Sequence, residues 1–161
     1  MTVLADAWKV VTEFEQNLDH AMDEVFGTMM GVKCSPAGDA VEAAGQTVSA
    51  VVGLCGTMAG TVVFHGPRAA ALSICARLTG VESAEVDATV RDALGEVANM
   101  VAGAWKGYDA ELASHCLLTT PTVVVGERYE VFSRKAAIRF DRAYQFDEHF
   151  CSVTVSCQRG G

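Results

Sequence analysis

Between residues 92 and 103 the chain reads Asp92-Ala-Leu-Gly-Glu96-Val-Ala-Asn99-Met-Val-Ala-Gly103. At about 100° per residue, two carboxylates and a carboxamide in this spacing fall together on one side of an α-helix, with Gly103 beside them. A carboxylate placed there can pair with a cationic group on a partner, and a carboxamide can donate and accept hydrogen bonds at the same time. On most exposed helices such residues are only a solvated surface. Gly95 and Gly103 add a second signal, because glycine in a helix interior costs about 1 kcal/mol relative to alanine. That cost calls either for tight packing of the helix or for close approach by another molecule, and the second reason suits a recognition surface. Pattern alone leaves the function open.

The other side chains able to do chemistry are dispersed. Cys34, Cys55, Cys75, Cys116, Cys151 and Cys157 include no Cys-x-x-Cys pair. They read as reduced thiols rather than zinc ligands. Cys151 and Cys157 alternate in phase with Val153 and Val155 against Ser152, Thr154 and Ser156, which puts both thiols on the buried face of a strand. His20, His65, His115 and His149 show no ligand spacing either, so the expectation is no metal and no cofactor of the protein's own.

A chain of 161 residues, half of them apolar and a fifth charged, suits one globular domain spanning residues 1–161. A formal charge of -8 repels phosphate backbones, and the 12 Lys and Arg form no basic patch that would overcome it. Neither nucleic acid nor membrane is expected as a partner. No apolar run reaches the roughly 18 residues of a membrane span, and the start lacks the basic and apolar regions of a secretory signal. The expected location is the cytoplasm.

The elements that must position the 92–103 segment follow from periodicity. Leu4, Trp8, Val11, Leu18, Met22, Val25, Phe26 and Met29 recur at three- and four-residue steps, predicting an amphipathic helix that ends at Gly31. Val48, Ala50, Val52 and Leu54 alternate with Thr47, Ser49 and Val51 in a strand, and 61–64 reads as its hairpin partner across Gly56 and Gly60. Residues 67–79 form a helix with Pro67 in its first turn and Gly80 at its end. Asp87 is placed to cap the helix of residues 87–107, in which Val90, Ala93, Leu94, Val97, Val101, Ala104 and Trp105 form the core stripe. After a link at 108–120, Pro121 opens a short strand, 122–125, and two strands at 136–143 and 149–158 flank the turn 145–148. The order α, β, β, α, α, β, β, β argues for an α/β fold of α+β type, with long helices on a largely antiparallel sheet of about five to six strands. A Gly-rich phosphate loop after a strand is absent, which argues against a nucleotide-binding fold.

The segment Asp92-x-x-x-Glu96-x-x-Asn99, followed by Pro121 at the head of a Val-rich strand, resembles the signature of the CheC/CheX chemotaxis phosphatases. The long first helix, the hairpin from Val51 to Phe64, the Pro67 helix and the terminal hairpin occur in the order expected of CheX-like proteins, so the resemblance covers nearly the whole chain. The motif occurs once, as in CheX, whereas CheC-like members carry two. Residues 108–120 and 126–134 are the least family-like, and nothing is carried over onto them.

This resemblance implies a phosphatase that hydrolyses the aspartyl phosphate of a CheY-like response regulator. The regulator would supply the phosphorylated Asp, a bound Mg2+ and a Lys, leaving the phosphatase to orient a water. Asn99 takes that role, and Glu96 pairs with the regulator's Lys to fix the docking register. Asp92, Gly95 and Gly103 would contribute to the binding surface, with Pro121 shaping the neighbouring loop. A non-catalytic interaction module that binds a response regulator or signalling protein is the competing reading, and a dimerisation domain of the flagellar-switch kind is a third. CheX-like proteins are dimers with joined sheets, which implies a homodimer here. The length of the strands at 136–143 and 149–158, the second with an uncharged polar face, points the same way if they leave an edge exposed.

Overall fold

The first helix, α1 (Thr2–Val25), continues into a π-helical turn, Phe26–Met30, and stops at Gly31, whose φ of 65° lets its own N–H and that of Val32 return to the last carbonyls. The computed structural model of the chain describes residues 2–39, 44–132 and 136–161, without the side chains of residues 2–5. The side chain of Leu4, and residues 133 and 134 at the end of the stretch 126–134, therefore lie outside the described residues. Phe14, Leu18, Ala21, Met22, Val25 and Phe26 form the buried stripe of α1. Trp8 and Met29 share the spacing of that stripe but are 73% and 48% exposed.

The strands are β1 (Cys34–Pro36), β2 (Thr47–Gly56), β3 (Met58–Pro67), β4 (Cys116–Leu118), β5 (Thr122–Gly126), β6 (Ile138–Phe146) and β7 (His149–Arg159). They form one seven-stranded sheet in the order β1-β6-β7-β3-β2-β4, with β5 also pairing β2, and every pairing is antiparallel. The sheet is thus larger than five to six strands. The additions, β1 and β4, span three residues each, too few for alternation to mark them in the sequence. β4 and a short helix, α4 (Ala110–His115), occupy the stretch read as a link. α4 is capped by Asp109, whose carboxylate accepts from the Leu112 N–H at 2.9 Å.

β7 corrects the edge argument. It lies between β6 and β3 and is paired on both sides, so it exposes no edge. The open edge on that side is the part of β6 beyond its short pairing with β1, and it carries Arg139, Asp141 and Arg142, charges of the kind that protect an edge.

One face of the sheet presents Val48, Ala50, Val52, Val62, Phe64, Cys151, Val153, Val155 and Cys157 to the helices, all of them buried. On this face lie α1, α2 (Arg68–Thr79) and α3 (Ala88–Gly107). Pro67 ends β3 and caps α2, one position ahead of the expected first turn, and Gly80 closes the helix with a φ of 74°. The hairpin between β6 and β7 turns tightly at Asp147 and Glu148, so Gln145 and Phe146 belong to the strand. No helix among the described residues is long and apolar enough to cross a membrane.

At Gly60 the β3–β7 pairing leaves no room for a side chain. A Cβ there would stand 2.0 Å from the Ser156 carbonyl oxygen and 2.7 Å from Cys157 Cα, both backbone atoms that cannot swing aside. Gly60→Ala is expected to cost about 3 kcal/mol of stability, read as a fall in the midpoint of urea unfolding. A loss below about 1 kcal/mol would show that these central strands separate more easily than their packing implies.

Candidate functional site

α3 begins at Asp87, whose carboxylate accepts from the Val90 N–H at 3.0 Å, and runs for 20 residues. Val90, Ala93, Leu94, Val97, Ala98, Val101, Ala102 and Trp105 are buried against the sheet, α1 and α2. The helix is held on most of its circumference. What remains is the stripe carrying Asp92 and Glu96, both exposed, with Asn99 and Gly103 half-buried beside them. Glu96 and Asn99, three residues apart, point within about 60° of one another. Neither side chain hydrogen-bonds or ion-pairs with any described residue, so both offer their full bonding capacity outward.

The two glycines have different reasons. Gly95 is buried, and a Cβ there would meet Pro121 Cβ at 3.5 Å and Val123 Cγ2 at 3.6 Å. Its place is therefore against the sheet edge, where a methyl group would still make ordinary contacts and only a larger side chain would be excluded. Gly103 is half-buried, and a Cβ there would meet only Leu118 Cδ1, at 3.9 Å. No packing demand excludes a side chain at 103. Positions 95, 99 and 103 lie on one i, i+4, i+8 row, so Asn99 has a glycine one turn before it and one turn after it. Its amide is unscreened along that row, and one flank of the row is walled by the corner from Leu118 to Pro121.

That corner is set by a feature the motif does not contain. β4 pairs with Leu54–Gly56 and β5 with Thr47–Val51, which leaves Val52 and Gly53 between them. Thr119 fills the gap: its N–H donates to the Gly53 carbonyl at 3.0 Å, and the Gly53 N–H donates to Thr119 Oγ1 at 2.8 Å. A Cβ at 53 would lie 2.7 Å from that oxygen, so the latch requires glycine. A glycine inside a strand pattern was the sequence signal for this close approach. The latch delivers Pro121 to its position against Gly95, so the structure places Asp92, Gly95, Glu96, Asn99 and Gly103 along about three turns of one side of α3, with Pro121 on its flank. Among the described residues no group of three or more His, Cys, Asp or Glu is placed to hold a metal ion.

Known proteins resemble this chain in sequence and fold. A family model described as chemotaxis phosphatase CheX matches residues 48–141, from β2 into β6, and so includes the whole Asp92–Pro121 segment. The chain is similar to the CheY-P phosphatase CheX of Thermotoga maritima, with 28% identity over 112 residues, which are 69% of this chain and 72% of that protein. Among solved structures it resembles the chemotaxis protein CheX from Vibrio vulnificus, with a TM-score of 0.77 and 21% identity over 89% of this chain and 95% of that one. It also resembles the CheX–CheY–BeF3–Mg2+ complex from Borrelia burgdorferi, with a TM-score of 0.70 and 19% identity, covering 91% of this chain and 98% of that one.

Because a methyl group at 95 would make only ordinary contacts with Pro121 and Val123, Gly95→Ala is expected to stabilise the protein by about 0.5–1 kcal/mol through helix propensity. Gly95→Leu should instead lever the helix off Pro121 and cost about 1–3 kcal/mol. Thermal melts of the two variants check the signs. Destabilisation by alanine would mean that the helix and the sheet edge meet more closely than these distances.

Proposed function

Since the chain belongs to the CheX family of chemotaxis phosphatases, we propose that it hydrolyses the aspartyl phosphate of a CheY-like response regulator and so ends that regulator's signal. The observation that carries this reading is the pair Glu96 and Asn99, unpartnered among the described residues and placed on the one stripe of α3 that the fold leaves open.

In the reaction a water oxygen attacks phosphorus, the bond to the Asp carboxylate oxygen breaks, and carboxylate and inorganic phosphate are released. The leaving group is a carboxylate that needs no proton, so the demand on the phosphatase is to position the water in line. The Asn99 amide suits it, with its carbonyl accepting from the water and its N–H donating to a phosphoryl oxygen. Glu96 is unsuited to face the phosphoryl group, which it would repel. It serves better as the partner of the regulator's Lys, with Asp92 adding negative charge at the rim. Mg2+ then arrives with the regulator rather than with this chain. We further propose a homodimer formed through the sheet, each protomer turning its α3 stripe outward to one regulator.

Asn99→Ala should abolish turnover of a phosphorylated regulator while leaving binding nearly intact, since the amide acts mainly in the transition state. Glu96→Ala should weaken binding as well, by roughly 2–5 kcal/mol where the partner's Lys is left buried and unpaired. Phosphate release under substoichiometric protein and titration calorimetry read the two effects separately. Near-normal turnover by the Asn99 variant would remove the water-positioning role, and stoichiometric protection without turnover would make the wild type a binder.

For the assembly, light scattering at micromolar concentration should return twice the chain mass, and a closed two-fold contact should give no larger species. A monomer mass would refute the dimer.

A further inference from the structure

On the helix-free face of the sheet, Ser49 of β2 and His65 of β3 stand opposite one another, and Tyr129 folds over them from the segment after β5. Ser49 is only 1% exposed there. Tyr129 Oη lies 2.9 Å from Ser49 Oγ, which in turn lies 2.7 Å from His65 Nδ1, and Tyr129 Oη is also 3.3 Å from the Val124 carbonyl oxygen. The Tyr129 ring meets the imidazole edge-on, with centroids 6.3 Å apart.

This chain of groups can be filled in two directions. When Tyr129 donates to Ser49 and Ser49 donates to Nδ1, the imidazole is neutral and carries its proton on Nε2. When Nδ1–H donates to Ser49, Ser49 to Tyr129 and Tyr129 to the Val124 carbonyl, each hydroxyl still donates once, and the ring can hold a proton on both nitrogens. Ring charge can therefore change without stranding a buried hydroxyl. His65 Nε2 has no partner among the described residues, and the ring lines a cleft of about 550 Å³. That volume falls within the roughly 300–1,000 Å³ of small-molecule sites.

The walls define the ligand. Phe150, Pro67 and Ala143 supply apolar surface, and Arg128 stands at the rim with a φ of 55°, a conformation that costs energy for a side chain other than glycine. The Arg128 guanidinium makes no ion pair among the described residues. We infer that this cleft binds a small organic carboxylate, whose oxygens meet His65 Nε2–H and Arg128 while its apolar body lies against Phe150 and Pro67. It is a site separate from the Glu96 and Asn99 stripe, with the sheet between them.

Binding is coupled to protonation. The titratable groups around the ring are Glu127, Arg128, Tyr129 and Cys151 in the cleft and Arg139 in the smaller cleft beside it. In the free protein, burial lowers the His65 imidazole below its usual range. A bound carboxylate favours the imidazolium, and the reversed hydrogen-bond chain accepts the second proton. Affinity should therefore rise as pH falls through the bound-state value.

The test uses benzoate as the probe, with benzamide and inorganic phosphate as comparisons, followed through the imidazole nitrogens of the full chain by NMR. Benzoate should shift the His65 signals saturably in the millimolar range, about tenfold more tightly at pH 6 than at pH 8. His65→Gln and Arg128→Gln, each checked for an unchanged melt, should each weaken binding by tenfold or more. No saturable response to benzoate would overturn the site. Equal responses to benzamide would overturn the charge requirement, and equal responses to phosphate would overturn the organic carboxylate.

Discussion

The position of α3 is the constraint on which the site depends. Its last turn is pinned by Trp105, whose indole N–H donates to the Phe14 carbonyl at 3.1 Å in a buried contact, while the ring meets Phe14 edge-on with centroids 5.4 Å apart. Residues 14 and 105 are far apart in the chain, so this bond ties α1 and α3 together as no local propensity could. A buried indole N–H left unpaired costs about 1–3 kcal/mol, which makes the Phe14 carbonyl a specific requirement rather than a convenience. With α1 on one side, α2 on another and the sheet beneath, α3 retains one free stripe, and the polar residues of the motif stand on it.

The sheet edge answers the same constraint from below. A single long strand beside β2 would run straight past Gly53, whereas the edge is divided into β4 and β5, with Thr119 latched to Gly53 at the join. The division lets the chain turn a corner there, so that Pro121 rises to meet Gly95 while Val123 and Val125 still pack towards the core. Proline suits the corner because it has no N–H to leave unsatisfied at the head of a strand. Helix and edge thus meet through two glycines, Gly53 at the join of β4 and β5 and Gly95 one turn before Asn99 on α3.

How much of this the sequence revealed depended on how local each cause was. The stripe of α3, its Asp87 cap, the stop at Gly31 and the alternation in β2 and β7 rest on periods and caps contained within one element, and they were readable. The reason for Gly95 was not, because a glycine records that something comes close without recording whether it is Pro121 or another protein. The central place of β7 was equally hidden, since strand order is set by pairings between distant segments. The Tyr129–Ser49–His65 chain joins three elements through ordinary residue types, and no spacing announces it.

A site built in the middle of a packed helix also suits the chemistry proposed for it. Orienting a water for in-line attack demands a side chain fixed to a fraction of an ångström, and a helix interior holds that geometry better than a loop. Asn99 follows Ala98 and precedes Val101 and Ala102, all buried, so its backbone cannot shift without disturbing the core on both sides. The amide keeps the freedom of its own rotamers, yet its origin is fixed by residues that do no chemistry. The partner in such a reaction brings the charge, the metal and the phosphoryl group. What this fold adds is a rigid place for one carboxamide and one carboxylate, cleared by a glycine at 103 and levelled by a proline at 121.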